Sequence, residues 1–350
     1  MSLNLSFSED QVALRELFND FLGKASDTSV VRAAEPLGFD PELWQASSAL
    51  GLPEMGAGQD GERATLSHLV MVAEQIGRHI SPLPAVEHLV ATRALQAPDD
   101  DLLNGSSIAT LAVRPPTSDD TWTLVPAGAI ADVVIGVYGG VTVAVRSQSP
   151  GRAPSNHACA PIANRTIKDG DLIELGPKAL WDNVLAEWKT LTAAALTGLA
   201  ERALEIGVDY TKTRHQFGQP IGAFQSVQHG LADLPGMVAG SRLLAHKAAW
   251  ALEHPHGQAG FTDVFDNEVW DGTTLASMAL IFAGDIAAEV TKRALHYHGG
   301  AGFAEEYDIQ LYYRRARGWP LILGDPGVEA LTLADRLFGA VEGSSSAGGR

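Results

Sequence analysis

Tyr210-Thr-Lys-Thr-Arg-His-Gln-Phe-Gly-Gln-Pro-Ile-Gly-Ala-Phe-Gln225 is the stretch that decides the reading of this chain. A helical pattern leads into it: Trp181, Val184, Leu185, Trp188, Leu191, Ala195, Leu199 and Ala203 recur with the period of one helix face. Another long helix, Ala223 to Leu252, leads out of it, open to a kink or restart at Pro235. Within the stretch, Arg214 carries a fixed fork of always-charged donors suited to phosphate oxygens; the bland alternative is a solvated arginine at a helix end. A second run, Ala294-Leu-His-Tyr-His-Gly-Gly-Ala-Gly-Phe-Ala-Glu-Glu-Tyr307, places Gly299 and Gly300 together. Paired glycines let backbone N–H groups approach a ligand without a Cβ in the way, or simply end a helix.

Outward from these runs, the first hundred residues read as helices. Ser8 and Gln11 fit a capping box, and Leu14, Leu17, Phe18, Phe21 and Leu22 make one apolar face that Gly23 would stop. Asp40-Pro41 opens a second helix, with Leu66 to Ile76 and Ala85 to Leu95 as two more. Between Ser106 and Leu175 the pattern turns to strands. Val133 to Tyr138 and Val141 to Val145 flank Gly139-Gly140 as a hairpin, with Thr110 to Val113, Thr121 to Val125 and Leu172 to Leu175 as further short strands. Towards the end, Thr273 to Tyr297 and Val328 to Phe338 are helical, and the tail from Gly343 is expected to be disordered.

Composition narrows the function. A formal charge of -17 opposes a general nucleic-acid or anionic-membrane binder, although a local cationic pocket for a small acid remains open. Cys159 is the single cysteine, so neither an intrachain disulfide nor a cysteine-cluster metal site is available. His296 and His298, two apart on a helix, point in different directions and do not make a metal site. The N-terminus lacks the pattern of a signal peptide, and no apolar run reads as a membrane span, the nearest being Val133 to Val145. The expectation is a cytoplasmic protein.

The two motif runs, with Phe39-Asp-Pro-Glu-Leu-Trp44, Leu50-Gly-Leu-Pro53 and Ala73-Glu-Gln-Ile-Gly-Arg78, resemble the acyl-CoA dehydrogenase family nearly end to end. The resemblance implies a mainly α fold with a small β domain. It divides the chain into an N-terminal helical domain (1–105), a β domain (106–177), a C-terminal helical bundle (178–341) and a tail (342–350). It also implies FAD, lying across a subunit interface, with Arg214 on its diphosphate and adenosine. Phe217 would pack on the nucleotide or in the core. Gln216 and Gln225 would supply polar contacts, Gln225 being alternatively an exposed helix residue. His296 stands where the family's Gln contacts the cofactor, followed by Gly299 and Gly300. Arg314, Arg315 and Arg317 resemble a family helix and are expected to pair with acids such as Glu305 and Glu306.

The chain departs from that family at the chemistry. A base must take a proton from Cα, and the family's Tyr-Glu-Gly-Thr segment falls here on Leu323-Gly324-Asp325, with leucine in place of glutamate. The two substitute candidates are Glu253, beside His254 where some members carry the base on a central helix, and Asp325. The family's Thr-Glu-Pro segment, which contacts the flavin ring and substrate, is replaced by Ala112-Val-Arg-Pro-Pro-Thr-Ser-Asp-Asp120, and the Pro-Glu-Glu-Tyr-Gly-Gly loop expected after Leu52-Pro53 by Glu54-Met-Gly-Ala-Gly-Gln-Asp-Gly61. Three readings follow. The chain is a partner subunit, resembling the short β-type subunits of heteromeric (α2β2) acyl-CoA dehydrogenases of actinobacterial steroid side-chain breakdown, and completes the site of a longer homologue. Or it is a self-sufficient homo-oligomer using Glu253 or Asp325 on acyl-CoA. Or it is a helical scaffold that has lost the cofactor.

Overall fold

A computed structural model describes residues 7–57, 63–95, 97–254 and 271–339. The tail expected to be disordered, and residues 58–61 of the replaced loop, lie outside them. The N-terminal helices are α1 (Glu9–Ala25), α2 (Thr28–Ala34), α3 (Pro41–Ala49), α4 (Leu66–Arg78), α5 (Ala85–Ala94) and the short α6 (Asp100–Leu103). The Ser8–Gln11 capping box forms, with Gln11 N donating to Ser8 Oγ at 3.2 Å and Ser8 N to Gln11 Oε1 at 2.9 Å. Gly23 does not stop α1, which runs on to Ala25; instead the glycine leaves room for the His79 ring, 3.4 Å from where a Cβ would sit. Helix α2, not foreseen from the sequence, starts where the Asp27 carboxylate accepts from Ser29 N and Val30 N.

The middle segment holds β1 (Ala109–Leu111), β2 (Thr121–Val125), β3 (Val133–Tyr138), β4 (Val141–Arg146), β5 (Ala163–Thr166) and β6 (Asp171–Pro177). Strands β1-β3-β4-β6 make one sheet, with β1 parallel to β3 and the other pairs antiparallel, while β2 and β5 form a separate ribbon. The β3–β4 hairpin turns on Gly139 and Gly140 at φ 59° and 84°, the left-handed region that glycine adopts without strain. His88 fastens this segment to the helices before it. Its Nε2–H donates to Leu102 O (3.1 Å), and its Nδ1 accepts from Ala109 N (3.1 Å) at the start of β1. Full burial pushes the imidazole down to about 4, so it stands neutral in that one tautomer.

The last part contains α7 (Lys178–Thr213), a two-strand ribbon of β7 (His215–Gln216) and β8 (Gln219–Pro220), then α8 (Gln225–Ala232), α9 (Leu234–Glu253), α10 (Gly272–His298), α11 (Ile309–Gly318) and α12 (Pro326–Phe338). The helix expected over 223–252 is two, broken at Asp233 and restarted with Pro235 in its first turn, the restart that the sequence left open, where a missing N–H costs least. Backbones approach closely where glycine allows it. A Cβ at Gly77 of α4 would meet Ala195 O of α7 at 1.8 Å, and one at Gly198 of α7 would meet Glu74 O at 1.9 Å. Helices α7 and α10 run parallel: Lys189 Nζ reaches Ser277 Oγ (3.1 Å) near their starts, and Gly207 lies against Ala294 near their ends. Both therefore finish at the same end of the bundle.

Residues Gly272–Phe303 are, by length and composition, apolar enough to cross a membrane, contrary to the sequence reading. Their alanine-rich stretch packs against α7 and α9, with Leu275, Ala276, Ala279, Ala283, Ala287 and Val290 buried, which makes α10 a core helix.

Candidate functional site

The shared end of α7 and α10 brings the two motif runs together. Arg214 is the C-cap of α7, its N–H bonded to Tyr210 O (2.9 Å), and Gly299 is the C-cap of α10. The Arg214 guanidinium is exposed and has no hydrogen-bond or ion-pair partner among the described residues. Helix C-termini carry partial negative charge, so an anion would be unwelcome here without a cation such as this one. Gly299 takes φ 61°, ψ -146°, a conformation that side chains avoid, and space is open where a Cβ would stand at Gly299 and Gly300. Phe217 is not in the core: it is 93 % exposed at φ 53°, a strained position for a large residue, with Phe224 edge-on at 6.2 Å. Gln216 donates to its neighbour's carbonyl, His215 O (2.7 Å), while Gln225 opens α8 exposed and His296 is exposed against Tyr297. Beside them an open groove of about 560 Å³ runs between the end of α7 and α8, lined by Val208, Thr211, Lys212, Val227 and Leu231. No residue of α8 is buried.

The polar groups of the other expected region are held by hydrogen bonds within the chain. Arg114, in the segment that replaces Thr-Glu-Pro, donates from Nε to Ile322 O (3.0 Å) and from Nη2 to Leu321 O (2.6 Å). It thereby ties the segment expected to meet the flavin ring directly to the loop where the sequence places leucine in the expected position of the base. Leu323 packs against the core. Both substitute carboxylates already have work. Glu253, at the end of α9, accepts from Leu66 N and from Ser67 Oγ (3.2 Å), capping α4. Asp325 caps α12, accepting from Gly327 N at 2.8 Å. His254 bonds Trp250 O and stacks on that indole.

Two further spaces are lined by described residues. One of about 80 Å³ lies where the three parts meet, lined among others by Ile80, Ser81, Glu87, Trp188, Thr192 and Ile322. At roughly 10–15 Å³ per water it holds a handful of waters, far less than an acyl thioester. Glu87, which accepts from Trp188 Nε1 (3.3 Å), has its carboxyl pushed up by burial. A second cavity, about 270 Å³, lies between α10, α11 and the start of α12, with Asp325 at its wall. Sequence reasoning missed both Arg114 and Glu87. The signals were available: a lone arginine ahead of Pro115-Pro116, and a lone carboxylate in the apolar run from Ala85 to Ala94.

The arginine row is corrected as well. Arg314 and Arg315 pair not with Glu305 or Glu306 but with Glu35 (2.6 and 3.3 Å), and Arg317 lies over the Tyr313 ring. Burial opposes ionisation of Glu35, yet the two guanidinium groups outweigh it and hold the carboxyl below its ordinary range.

Residues 181–338 match the acyl-CoA dehydrogenase C-terminal domain. Over 345 residues, 95% of this chain and 100% of the relative, the sequence is 31% identical to acyl-CoA dehydrogenase IpdE2 of Mycolicibacterium smegmatis. The chain belongs to the acyl-CoA dehydrogenase family. Among solved structures this acyl-CoA dehydrogenase chain resembles a chain of the Tcur3481-Tcur3483 steroid ACAD at a TM-score of 0.81 and 25% identity, covering 94% of this chain and 98% of the other. It also shares the fold of a chain from the ChsE4-ChsE5 complex of Mycobacterium tuberculosis, at a TM-score of 0.81 and 22% identity over 97% and 100% of the two chains.

For the family's flavin, the residues present divide in two. The nucleotide end fits, because a guanidinium with no partner among the described residues and a glycine-opened backbone stand together at an exposed helix end. The ring end shows no such fit within this chain, because Arg114 binds the 112–116 segment to the carbonyls of Leu321 and Ile322.

Proposed function

We propose that this chain is a subunit of an FAD-dependent acyl-CoA dehydrogenase, gripping the diphosphate and adenosine of a flavin whose ring and catalytic base belong to a longer homologous partner. In α,β-dehydrogenation of an acyl-CoA thioester, a carboxylate takes the Cα proton while FAD supplies the chemistry that accepts the Cβ hydride. The observation that carries the reading is the Arg114 bridge between the 112–116 segment and the 321–325 loop, set against an Arg214 guanidinium with no partner among the described residues. Arg214 would hold the diphosphate through paired, charge-assisted hydrogen bonds. The backbone at Gly299 and Gly300 would admit the cofactor closely, and exposed Phe217 would cover it from the partner's side. Neither Glu253 nor Asp325 is free to act as base, which weighs against a self-sufficient enzyme. The likeness to a chain of the Tcur3481-Tcur3483 steroid ACAD, whose name joins two components, supports a heteromeric assembly, in this proposal α2β2, and a bulky, steroid-like acyl group. A ligand seen only by the assembled complex stabilises that complex, so cofactor binding and assembly would be coupled.

The test is purification of the chain alone and after co-expression with a longer acyl-CoA dehydrogenase homologue, reading flavin absorbance and acyl-CoA oxidation. The expected result is a colourless, inactive chain alone and a yellow, active complex. Full flavin and turnover in the isolated chain would overturn the proposal.

A further inference from the structure

The two cofactor segments sit on different helices, and one aromatic contact joins the helices at that end. His298, the residue before Gly299, stacks on Tyr210, one turn before Arg214, with ring centroids 3.8 Å apart and planes 19° from parallel. Tyr307 meets both rings edge-on, at 6.1 Å from Tyr210 and 5.9 Å from His298. The contact follows from the parallel helices. Gly207 lets α7 approach Ala294 of α10, and one turn further along each helix brings Tyr210 over His298. The ring has little freedom. His298 Nδ1–H donates to Ala294 O at 2.8 Å, and a Cβ at Gly302 would stand 2.9 Å from the His298 Cβ. Tyr307 is held in turn because Arg32 of α2 donates to Glu305 O (2.9 Å) and pairs with Asp308 (2.8 Å). Burial pushes the His298 imidazole down, favouring the neutral ring that stacks.

We propose that His298 is a positioning residue: its ring, stacked on Tyr210 with Tyr307 edge-on to both, sets the spacing between the Arg214 guanidinium and the Gly299–Gly300 backbone. This rests on the nucleotide-gripping role proposed above. The face of His298 supplies the register, and its hydrogen bond only orients the ring. A flat hydrocarbon ring should therefore substitute for it and a branched aliphatic should not.

The experiment uses the co-expressed complex, carrying wild-type chain, His298→Phe, His298→Leu or Arg214→Ala. Two quantities are read: FAD affinity by flavin fluorescence titration of the stripped complex, and hydrogen exchange of the 210–217 and 296–303 peptides without FAD. His298→Leu should weaken FAD by about fivefold to tenfold and speed exchange in both peptides, with an unchanged thermal midpoint. His298→Phe should restore both readouts. Unchanged exchange in His298→Leu, or loss in His298→Phe equal to that in His298→Leu, overturns the positioning role. Faster exchange in His298→Leu with no effect of Arg214→Ala on FAD leaves the positioning role standing and sinks the nucleotide role instead.

Discussion

The end of the bundle where α7 and α10 finish and the cleft between the 112–116 segment and the 321–325 loop are built on opposite principles. In the cleft every expected polar partner is spent internally: Arg114 on two carbonyls, Asp325 on a helix start. At the bundle end, among the described residues, the groups are left over: an unpaired Arg214, a strained and solvent-facing Phe217 and an uncovered Gly299. A folded chain rarely leaves strain and exposed aromatic surface where nothing uses them. The difference teaches where this fold spends its polar groups and where it leaves them exposed, and it is the basis of the proposed division between a structural half and a binding half.

If the division is real, changes in the satisfied half should alter stability and those in the open half should alter binding. The largest effect is expected from acid. The buried His88 imidazole stands at about 4 against an ordinary 6.5, so below 6.5 the unfolded chain takes up a proton that the folded chain refuses. Its stabilisation is complete above pH 6.5 and is lost as pH falls through about 4. Urea unfolding should register a loss on the order of 3 kcal/mol between pH 7 and pH 4 from this group. His79, also held down to about 4 by burial, adds to the slope, so His88→Gln should flatten it in part. An unaltered slope in that variant would count against the assignment.

Next in size, Arg214→Ala should cost about 2 kcal/mol of FAD affinity in the assembled complex, roughly thirtyfold in Kd, with the melting temperature of the chain unmoved. A fall in melting temperature with no change in Kd would place Arg214 in the structural half and erase the contrast. The smallest effect is expected from Arg114→Ala, which should lower unfolding free energy by about 1 kcal/mol while the complex keeps its flavin. Equal loss of flavin would show that the bridge belongs to the cofactor site after all.

Much of this was legible in the chain itself. The Ser8 capping box, the Gly139-Gly140 hairpin and the long helices around Trp188 and Leu280 follow from local rules, since each signal and its consequence lie within a few residues. The fates of Glu253 and Arg114 were not legible. Glu253 finds the start of α4, 187 residues away, and Arg114 finds Ile322, 208 residues away. Arg314 and Arg315 were rightly expected to pair with acid, yet the acid is Glu35, brought near by packing and not by sequence spacing.

The sequence alone determined the family, the succession of helices and strands, the motif runs at Arg214 and Gly299, and the absence of glutamate at Leu323. Local propensity and a long specific pattern suffice for these. Only the tertiary structure decided which charges are spent and which are spare. A guanidinium or carboxylate has the same chemistry wherever it stands, and its function depends on which groups the fold brings within about 3 Å of it.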